Sequence, residues 1–289
     1  MTKVLIIGST GMLGSAVTEE LKSKGLMYDV ASRSEGHKFD AVSGDISWLT
    51  GQAGLESGDF IVNCIGLTKA RIQERDAKSL AMAVELNVNF PMKLAKLAEE
   101  SGFRVIQVAT DCVFSGRMGN YSEDGKHDPL DVYGKTKSLG EIASDSVMHL
   151  RCSLIGPERG RSSLFFEWVR QQPRNARIDG YTNHLWNGLS SKAFGRILAG
   201  VISYNLFSAG VQHLVPEGRV TKDELVRLEL AALGRLDVEV KAVEAEESVD
   251  RTLVTNNTDR NRALFAAGGY QRVPTIAQMV EEICLDLPN

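Results

Sequence analysis

The stretch Gly8-Ser9-Thr10-Gly11-Met12-Leu13-Gly14 constrains this chain more than any other. It stands between an apolar run, Val4-Leu5-Ile6-Ile7, and a segment where Leu13, Ala16, Val17 and Leu21 recur at helical spacing up to Gly25. A strand, a GxxGxxG turn and an amphipathic helix in that order make a pyrophosphate-binding unit. Gly8 permits the tight turn, Gly11 lets backbone amides approach the phosphates, and Gly14 lets the helix pack closely on the sheet. The helix N-terminus adds partial positive charge where the anion lies. An ordinary glycine-rich turn is the plainer reading, and the flanking strand and helix weigh against it.

Further β-branched runs at 28–31, 60–64, 104–109 and 148–155 alternate with helix-period stretches around 77–100 and 133–143. Near-continuous apolar strands separated by helices predict a parallel sheet covered on both faces. The expected fold class is α/β: a Rossmann-type, doubly wound parallel sheet with a smaller interleaved α/β substrate domain. Gly44-Asp45-Ile46 is expected to close a third strand, and Pro91 to kink or start a helix near Asn89. After Gly156 the pattern loosens. Residues 159–161 and 171–175 read as loops, and a helix is expected from about 190 to 204. Thr221-Lys222-Asp223-Glu224 has capping-box spacing ahead of another helix, and 275–287 reads as an amphipathic tail helix. Residues 1–155 with about 188–217 are expected to form the dinucleotide-binding domain, and about 156–187 with 218–289 the substrate domain.

Composition excludes several classes. The chain has 289 residues, 43% hydrophobic and 24% charged, which is globular and not disordered or fibrous. A net charge of −4 gives no electrostatic reason to bind nucleic acid or acidic membranes. Cys64, Cys112, Cys152 and Cys284 lie far apart, so free thiols are expected and no zinc site. The apolar stretch 197–211 is broken by Ser203, Tyr204, Asn205 and Ser208 and is too short to span a bilayer. No secretory signal is read at the N-terminus, so a cytoplasmic protein is expected.

Arg33 stands where NAD-specific folds place a carboxylate, in Ala31-Ser32-Arg33-Ser34. An arginine there suits a 2′-phosphate and favours NADP(H) over NAD(H); a solvated loop arginine is the alternative. Asp45 is a candidate acceptor for the adenine amino group. Tyr133 and Lys137 are four residues apart in Tyr133-Gly134-Lys135-Thr136-Lys137, which puts both on one helix face. An ammonium beside a phenol lowers its pKa, so Tyr133 is expected to protonate a carbonyl oxygen while Lys137 also grips a ribose. Thr110 ends the 104–109 strand, on the ligand-binding edge of such a sheet, and is expected to orient that carbonyl. Asn87 is expected to hold a water that reprotonates the site.

These residues carry a family likeness. GSTGMLG, VATDCVFSG, YGKTKSLGE, HLWNGLSSKAFGRIL, VQHLVPEGRVTKDELVRL and GGYQRVPTIAQMVEEI resemble an extended short-chain dehydrogenase/reductase of the dTDP-4-dehydrorhamnose reductase group. The resemblance implies NADP- or NAD-dependent reduction of a nucleotide-linked 4-keto sugar, with Thr110, Tyr133 and Lys137 as the triad and Asn87 as auxiliary. It also implies that 190–204 folds back on the sheet, and that a homodimer forms through helices flanking the active-site edge. Expected cofactor contacts are Gly8, Ser9, Thr10, Gly11, Met12, Leu13, Arg33, Asp45, Ile46, Cys64, Ile65, Gly66, Thr68, Asn87, Tyr133 and Lys137. Thr110, Asp111, Cys112, Trp186 and Asn187 are the expected substrate contacts, with Arg151 and the loop 182–184 as further clues; no metal is expected.

The sequence departs from the group in two places. Rhamnose-forming members follow the fourth strand with a motif close to NAAAYTAVDKAE, whereas this chain reads Asn63-Cys64-Ile65-Gly66-Leu67-Thr68-Lys69-Ala70-Arg71. Lys69 and Arg71 therefore face a different sugar or phosphate, or are solvated. Cys112 replaces a common aromatic. It disfavours the dehydratases, which carry an Asp–Glu pair there, and it matches a cysteine of epimerase-reductases, with His184 as a conceivable partner. A small buried hydrophobe is the plainer reading of Cys112. A non-catalytic NADP-binding regulatory subunit is the remaining alternative.

Overall fold

A computed structural model of the chain describes residues 2–158 and 164–287. The loop expected at 159–161 lies outside them. The first half runs β1 (Lys3–Ile7), α1 (Met12–Ser23), β2 (Met27–Ser32), β3 (His37–Lys38), α2 (Ile46–Gln52), β4 (Phe60–Asn63), α3 (Ala77–Val84), α4 (Phe90–Ser101), β5 (Arg104–Ala109), α5 (Val132–Leu139) and β6 (Val147–Arg151). The second half runs β7 (Leu154–Ile155), α6 (Phe165–Arg170), β8 (Arg177–Tyr181), β9 (His184–Trp186), β10 (Leu189–Ser190), α7 (Ser191–Ser203) and β11 (Gly210–His213). It closes with β12 (Val220–Thr221), α8 (Lys222–Ala232), β13 (Glu239–Val243), β14 (Val249–Asp250), α9 (Thr258–Ala267) and α10 (Ile276–Leu285).

Seven strands form one sheet in the order β3-β2-β1-β4-β5-β6-β11, and every pairing in it is parallel. Alternation along the strands explains why both faces are covered. Val4, Ile6, Phe60, Val62, Ile106, Met148 and Leu150 pack with Val17 and Leu21 of α1 and Phe194 and Ile197 of α7. Leu5, Ile7, Ile61, Val105 and Val147 pack on the other face with Leu49, Phe90 and Leu94. Each such side chain contributes about 2 kcal/mol when fully buried, so a one-residue slip would cost many of them at once.

Two expectations need correction, and the helix start expected near Asn89 is present. The run 148–155 is two strands: β6 belongs to the large sheet, and β7 pairs with β10 in a separate ribbon. Apolar character continues through the run, but the hydrogen-bonding partner changes at Cys152-Ser153, where Leu189 N donates to Ser153 O at 2.9 Å. The stretch 77–100 is α3 and α4 joined by a π-helical turn, Glu85–Asn89, with Pro91 in the first turn of α4. Gly44-Asp45-Ile46 closes no strand: β3 is His37–Lys38, and Asp45 is the N-cap of α2. The helix at 221 carries the capping box that its sequence predicts, and the tail helix at 275 carries one as well. Among the described residues no helix is long and apolar enough to cross a membrane.

Candidate active site

The loops after β1, β4, β5 and β6 meet at the C-terminal edge of the sheet and line one cleft. At its β1 end Gly8 turns with φ +89°, and a Cβ on Gly14 would overlap the Gly8 carbonyl oxygen. A Cβ on Gly11 would meet only that oxygen, at 3.6 Å. Gly11 N-caps α1 without a side-chain cap, so first-turn N–H groups remain for an anion. Ser9 Oγ is buried with no hydrogen-bond partner, an orphan that a phosphate oxygen would satisfy. Gly11, Met12 and Leu13 line the cleft, and Thr10 is exposed at the tip of the loop.

Opposite this loop, Cys64, Ile65, Gly66 and Thr68 line the cleft. Asn63, which the sequence reading passed over, fixes their path. Its Oδ1 accepts from Ile65 N at 2.9 Å, and its Nδ2 donates to Gln107 Oε1 at 2.9 Å. Arg33 follows the last residue of β2 and is exposed. Asp45 is exposed, and the N-cap of α2 uses one of its two carboxylate oxygens. Its Oδ1 accepts from Ser47 N at 2.8 Å and Trp48 N at 3.2 Å, while Ile46 begins α2.

Thr110, Asp111, Cys112, Tyr133 and Lys137 come together as expected. The α5 helix reaches them because Gly134 packs against the Cys112 carbonyl, where any Cβ would overlap. Its N-cap, Asp131, accepts from Gly134 N at 2.8 Å and pairs with Lys69 at 2.8 Å, while Glu74 accepts from Val132 N at 3.0 Å. Lys69 and Arg71 both line the cleft, and Lys69 is tied to the N-cap of α5. Thr110 Oγ1 donates to Asp111 Oδ1 at 3.2 Å, accepts from Cys112 N at 3.2 Å, and hydrogen-bonds the Tyr133 side chain.

The electrostatics differ from the expected picture. Burial, with Cys112, Asp111 and Asp131 nearby, holds the Tyr133 phenol above its ordinary value, and only the Thr110 hydrogen bond opposes them. Lys137 is not what lowers it. The Lys137 ammonium is buried, donates to Val108 O at 2.8 Å, and is itself pulled down to about 8 by burial. Burial also pushes the Cys112 thiol up to about 12, so the thiolate is scarce near neutrality.

The structure gives other expected residues partners within the protein. Asn87 spends both amide N–H groups inside the fold. Its Nδ2 donates to Leu67 O at 3.0 Å and Thr136 Oγ1 at 3.1 Å, while its Oδ1 accepts from Leu67 N at 2.8 Å. It clamps the loop after β4 onto α5. Trp186 is core, not a base platform: it is buried and donates from Nε1 to Ser153 Oγ at 2.8 Å. Asn187 bonds the Leu253 backbone at both ends, 2.8 and 2.9 Å, and so pins one chain segment to another. Thr182, Asn183 and His184 bond the backbone of Val243, Ala245 and Glu247, and none of them lines the cleft. His184 is therefore no partner for Cys112. Arg151 is fully buried among Glu141, His127 and His213.

Residues that no local motif marked also line the cleft, among them Ser153, Leu164 and Phe165. They arrive from the jog after β6 and the start of α6, and only the tertiary fold shows their position.

The RmlD substrate binding domain model matches residues 1–257. Over 148 residues, 48% of this chain and 42% of the relative, the sequence is 32% identical to methionine adenosyltransferase 2 subunit beta of Danio rerio. Over 140 residues, 48% and 43% respectively, it is 34% identical to dTDP-4-dehydrorhamnose reductase of Streptomyces griseus. The matched stretch spans less than half of each of these relatives. In three dimensions the chain is similar to dTDP-4-dehydrorhamnose reductase of Bacillus anthracis in complex with NADP, with a TM-score of 0.79, 18% identity, and coverage of 99% and 100%. With the family model spanning most of its length and the same parallel-sheet fold, the chain belongs to the RmlD substrate binding domain family.

Proposed function

We propose that this chain is an NADPH-dependent reductase of a nucleotide-linked 4-keto sugar, of the 6-deoxy type. The observation that carries the reading is the meeting of Thr110, Tyr133 and Lys137 in a cleft that the glycine loop of β1 also enters. The dinucleotide fits this chain: uncapped N–H groups of α1, the orphan Ser9 hydroxyl and Gly66 would hold it, with Arg33 on its 2′-phosphate. When bound it supplies a hydride.

The chain's own residues supply the rest. Thr110 orients the sugar carbonyl, and Tyr133 gives its proton to the carbonyl oxygen, so that the ketone becomes an alcohol. The raised phenol pKa keeps that proton in place until charge develops on the oxygen. Lys137, held by Val108 O, places a cation beneath the site. Residues 1–155 with about 188–217 serve the dinucleotide in this reading. Its support is that β11 extends the large sheet beside β6, and α7 shares the core of α1. The remainder serves the sugar, with β8–β13 and β9–β12–β14 as small sheets of their own.

A panel of dTDP-, UDP-, GDP- and CDP-linked 4-keto-6-deoxy sugars, assayed with NADPH and NADH, tests the activity. Tyr133→Phe is expected to lower turnover by about 10³-fold while NADPH binding stays near wild type. Full turnover in that variant overturns the role of Tyr133. The similarity to a methionine adenosyltransferase beta subunit favours a second reading, a regulatory subunit that binds NADP. Inactivity with every keto sugar, together with partner regulation that survives Tyr133→Phe, would select it.

A further inference from the structure

The β6 end of the cleft, away from the glycine loop, carries a cation that the reductase chemistry leaves unused. Lys222 is the first residue of α8, in the turn that the Thr221–Glu224 capping box fixes. Its Nζ stands 4.1 Å from the centroid of Phe165 and 5.2 Å from that of Trp186. Phe165 lines the cleft, and Trp186 donates from Nε1 at 2.8 Å to Ser153, which lines it too. Two rings fixed to one wall of the cleft thus seat the ammonium.

The rings answer the charge but leave the N–H groups without lone pairs. Among the described residues no acceptor takes a hydrogen bond from Nζ, and no carboxylate forms an ion pair with it. The acidic side chains of α8 are spent or neutral. Asp223 pairs with Arg227 at 2.9 Å, and Glu224 accepts from Thr221 N at 2.7 Å in the capping box. Glu229 is fully buried, neither of its oxygens is hydrogen-bonded, and burial lifts its pKa to about 8, so near neutrality it is mostly a neutral acid. Lys222 is half-buried in the first turn of a helix, where the dipole disfavours a cation. Its charge and its three donors have no protein partner to offset that.

The cations that line the cleft are placed differently. Lys69 pairs with Asp131 at 2.8 Å, Lys137 donates to Val108 O at 2.8 Å, and Arg71 is exposed to water. The dinucleotide phosphates have the glycine loop and the orphan Ser9 hydroxyl at the β1 end. A nucleotide-linked sugar brings a diphosphate of its own, and phosphate oxygens are the acceptors that an unpaired ammonium binds most strongly. We propose that Lys222 is a substrate-binding residue, donating to a phosphate oxygen of the nucleotide-sugar diphosphate at the β6 end of the cleft. The identity of the ligand rests on the reductase reading; the unpaired ammonium does not.

Differential labelling of the intact chain with trinitrobenzenesulfonate, read by mass spectrometry of the Lys222 peptide, tests this without turnover. Burial holds Lys222 down to about 8, so its free amine is available to the reagent at about that pH. The probes are dTDP, UDP, GDP and CDP, with the matching nucleosides and NADPH as controls. At least one diphosphate is expected to slow labelling of Lys222 about 10-fold, and the controls are not. Protection by NADPH alone would assign Lys222 to the dinucleotide and overturn the proposal. Lys222→Met should weaken calorimetric binding of the protecting diphosphate about 10- to 100-fold, and Lys222→Arg should recover most of it. Should Lys222→Met fail to fold, Lys222→Gln serves the same comparison with a shorter polar side chain. With a keto sugar that is turned over, KM should rise by a similar factor while kcat stays within about 2-fold, a split that a merely structural lysine does not give. Turnover of a keto sugar without diphosphate protection of Lys222 overturns this inference and leaves the reductase reading standing. Protection by a diphosphate in a chain that reduces no keto sugar overturns the reductase reading and leaves Lys222 as a phosphate ligand. The absence of both overturns both.

Discussion

Two buried cations, Arg151 on β6 and Lys137 on α5, solve burial in opposite ways. Arg151, the last residue of β6, donates to Glu141, to His127 at 2.9 Å and to His213 at 2.8 Å, with its guanidinium 5.3 Å from the Phe114 ring. Lys137 on α5 has one protein acceptor, Val108 O, and burial drags its pKa down to about 8. A buried charge whose every nitrogen has an acceptor is a staple; one with most of its donors to spare is available to a ligand. The same contrast separates His213, bonded at both nitrogens, from Ser9, whose hydroxyl is orphaned at the glycine loop.

One substitution at each cation sharpens the comparison. Arg151→Met leaves Glu141 buried without its partner and is expected to cost about 3–5 kcal/mol of unfolding free energy in urea titrations. A loss under about 1 kcal/mol would show that the cluster is no staple. The next effect is in pH. His213 Nδ1 donates to Val254 O at 2.7 Å and Nε2 accepts from Arg151, so protonation at Nε2 sets two cations against each other. Burial first, then Arg151, lowers its pKa from 6.5 to about 4. Because the folded value lies below the unfolded one, this stabilisation is present above about pH 6.5 and fades as pH falls toward 4. Wild type should lose about 2 kcal/mol between about pH 7 and pH 5 on this account. His213→Gln should show a correspondingly shallower slope over that interval, and equal slopes would remove His213 from the acid response. The smallest change in stability is expected for Lys137→Met, within about 1 kcal/mol of wild type or slightly stabilising, because a costly buried charge is removed. Turnover should nevertheless fall, which is the signature of a group kept for chemistry. A stability loss as large as that of Arg151→Met would erase the distinction.

Local sequence was enough wherever the signal is local. GxxGxxG between a strand and a helix specified the phosphate loop, and the Tyr133–Lys137 spacing specified one helix face, because i,i+4 geometry follows from the helix itself. Thr110 was legible from its place at the end of β5. Asn87, Trp186, Asn187 and Arg151 were assigned to ligands because they are polar or aromatic residues in informative neighbourhoods. What they do depends on partners 20, 33, 66 and up to 62 residues away. No spacing rule reaches across such separations. The strand end expected at Gly44-Asp45-Ile46 failed for a different reason: a carboxylate at a strand end and one at a helix N-cap look alike until the strand's length is known.

By itself, the sequence determined the parallel sheet, its glycine loop and the shared helix face of Tyr133 and Lys137, since each follows from periodicity or contact within a few residues. Tertiary structure decided which buried polar groups are spent and which remain free. It gave both amide N–H groups of Asn87 and every nitrogen of Arg151 an acceptor, and left Ser9 without a partner. The availability of a charge depends on every acceptor around it, and those acceptors are gathered by the fold from the whole chain.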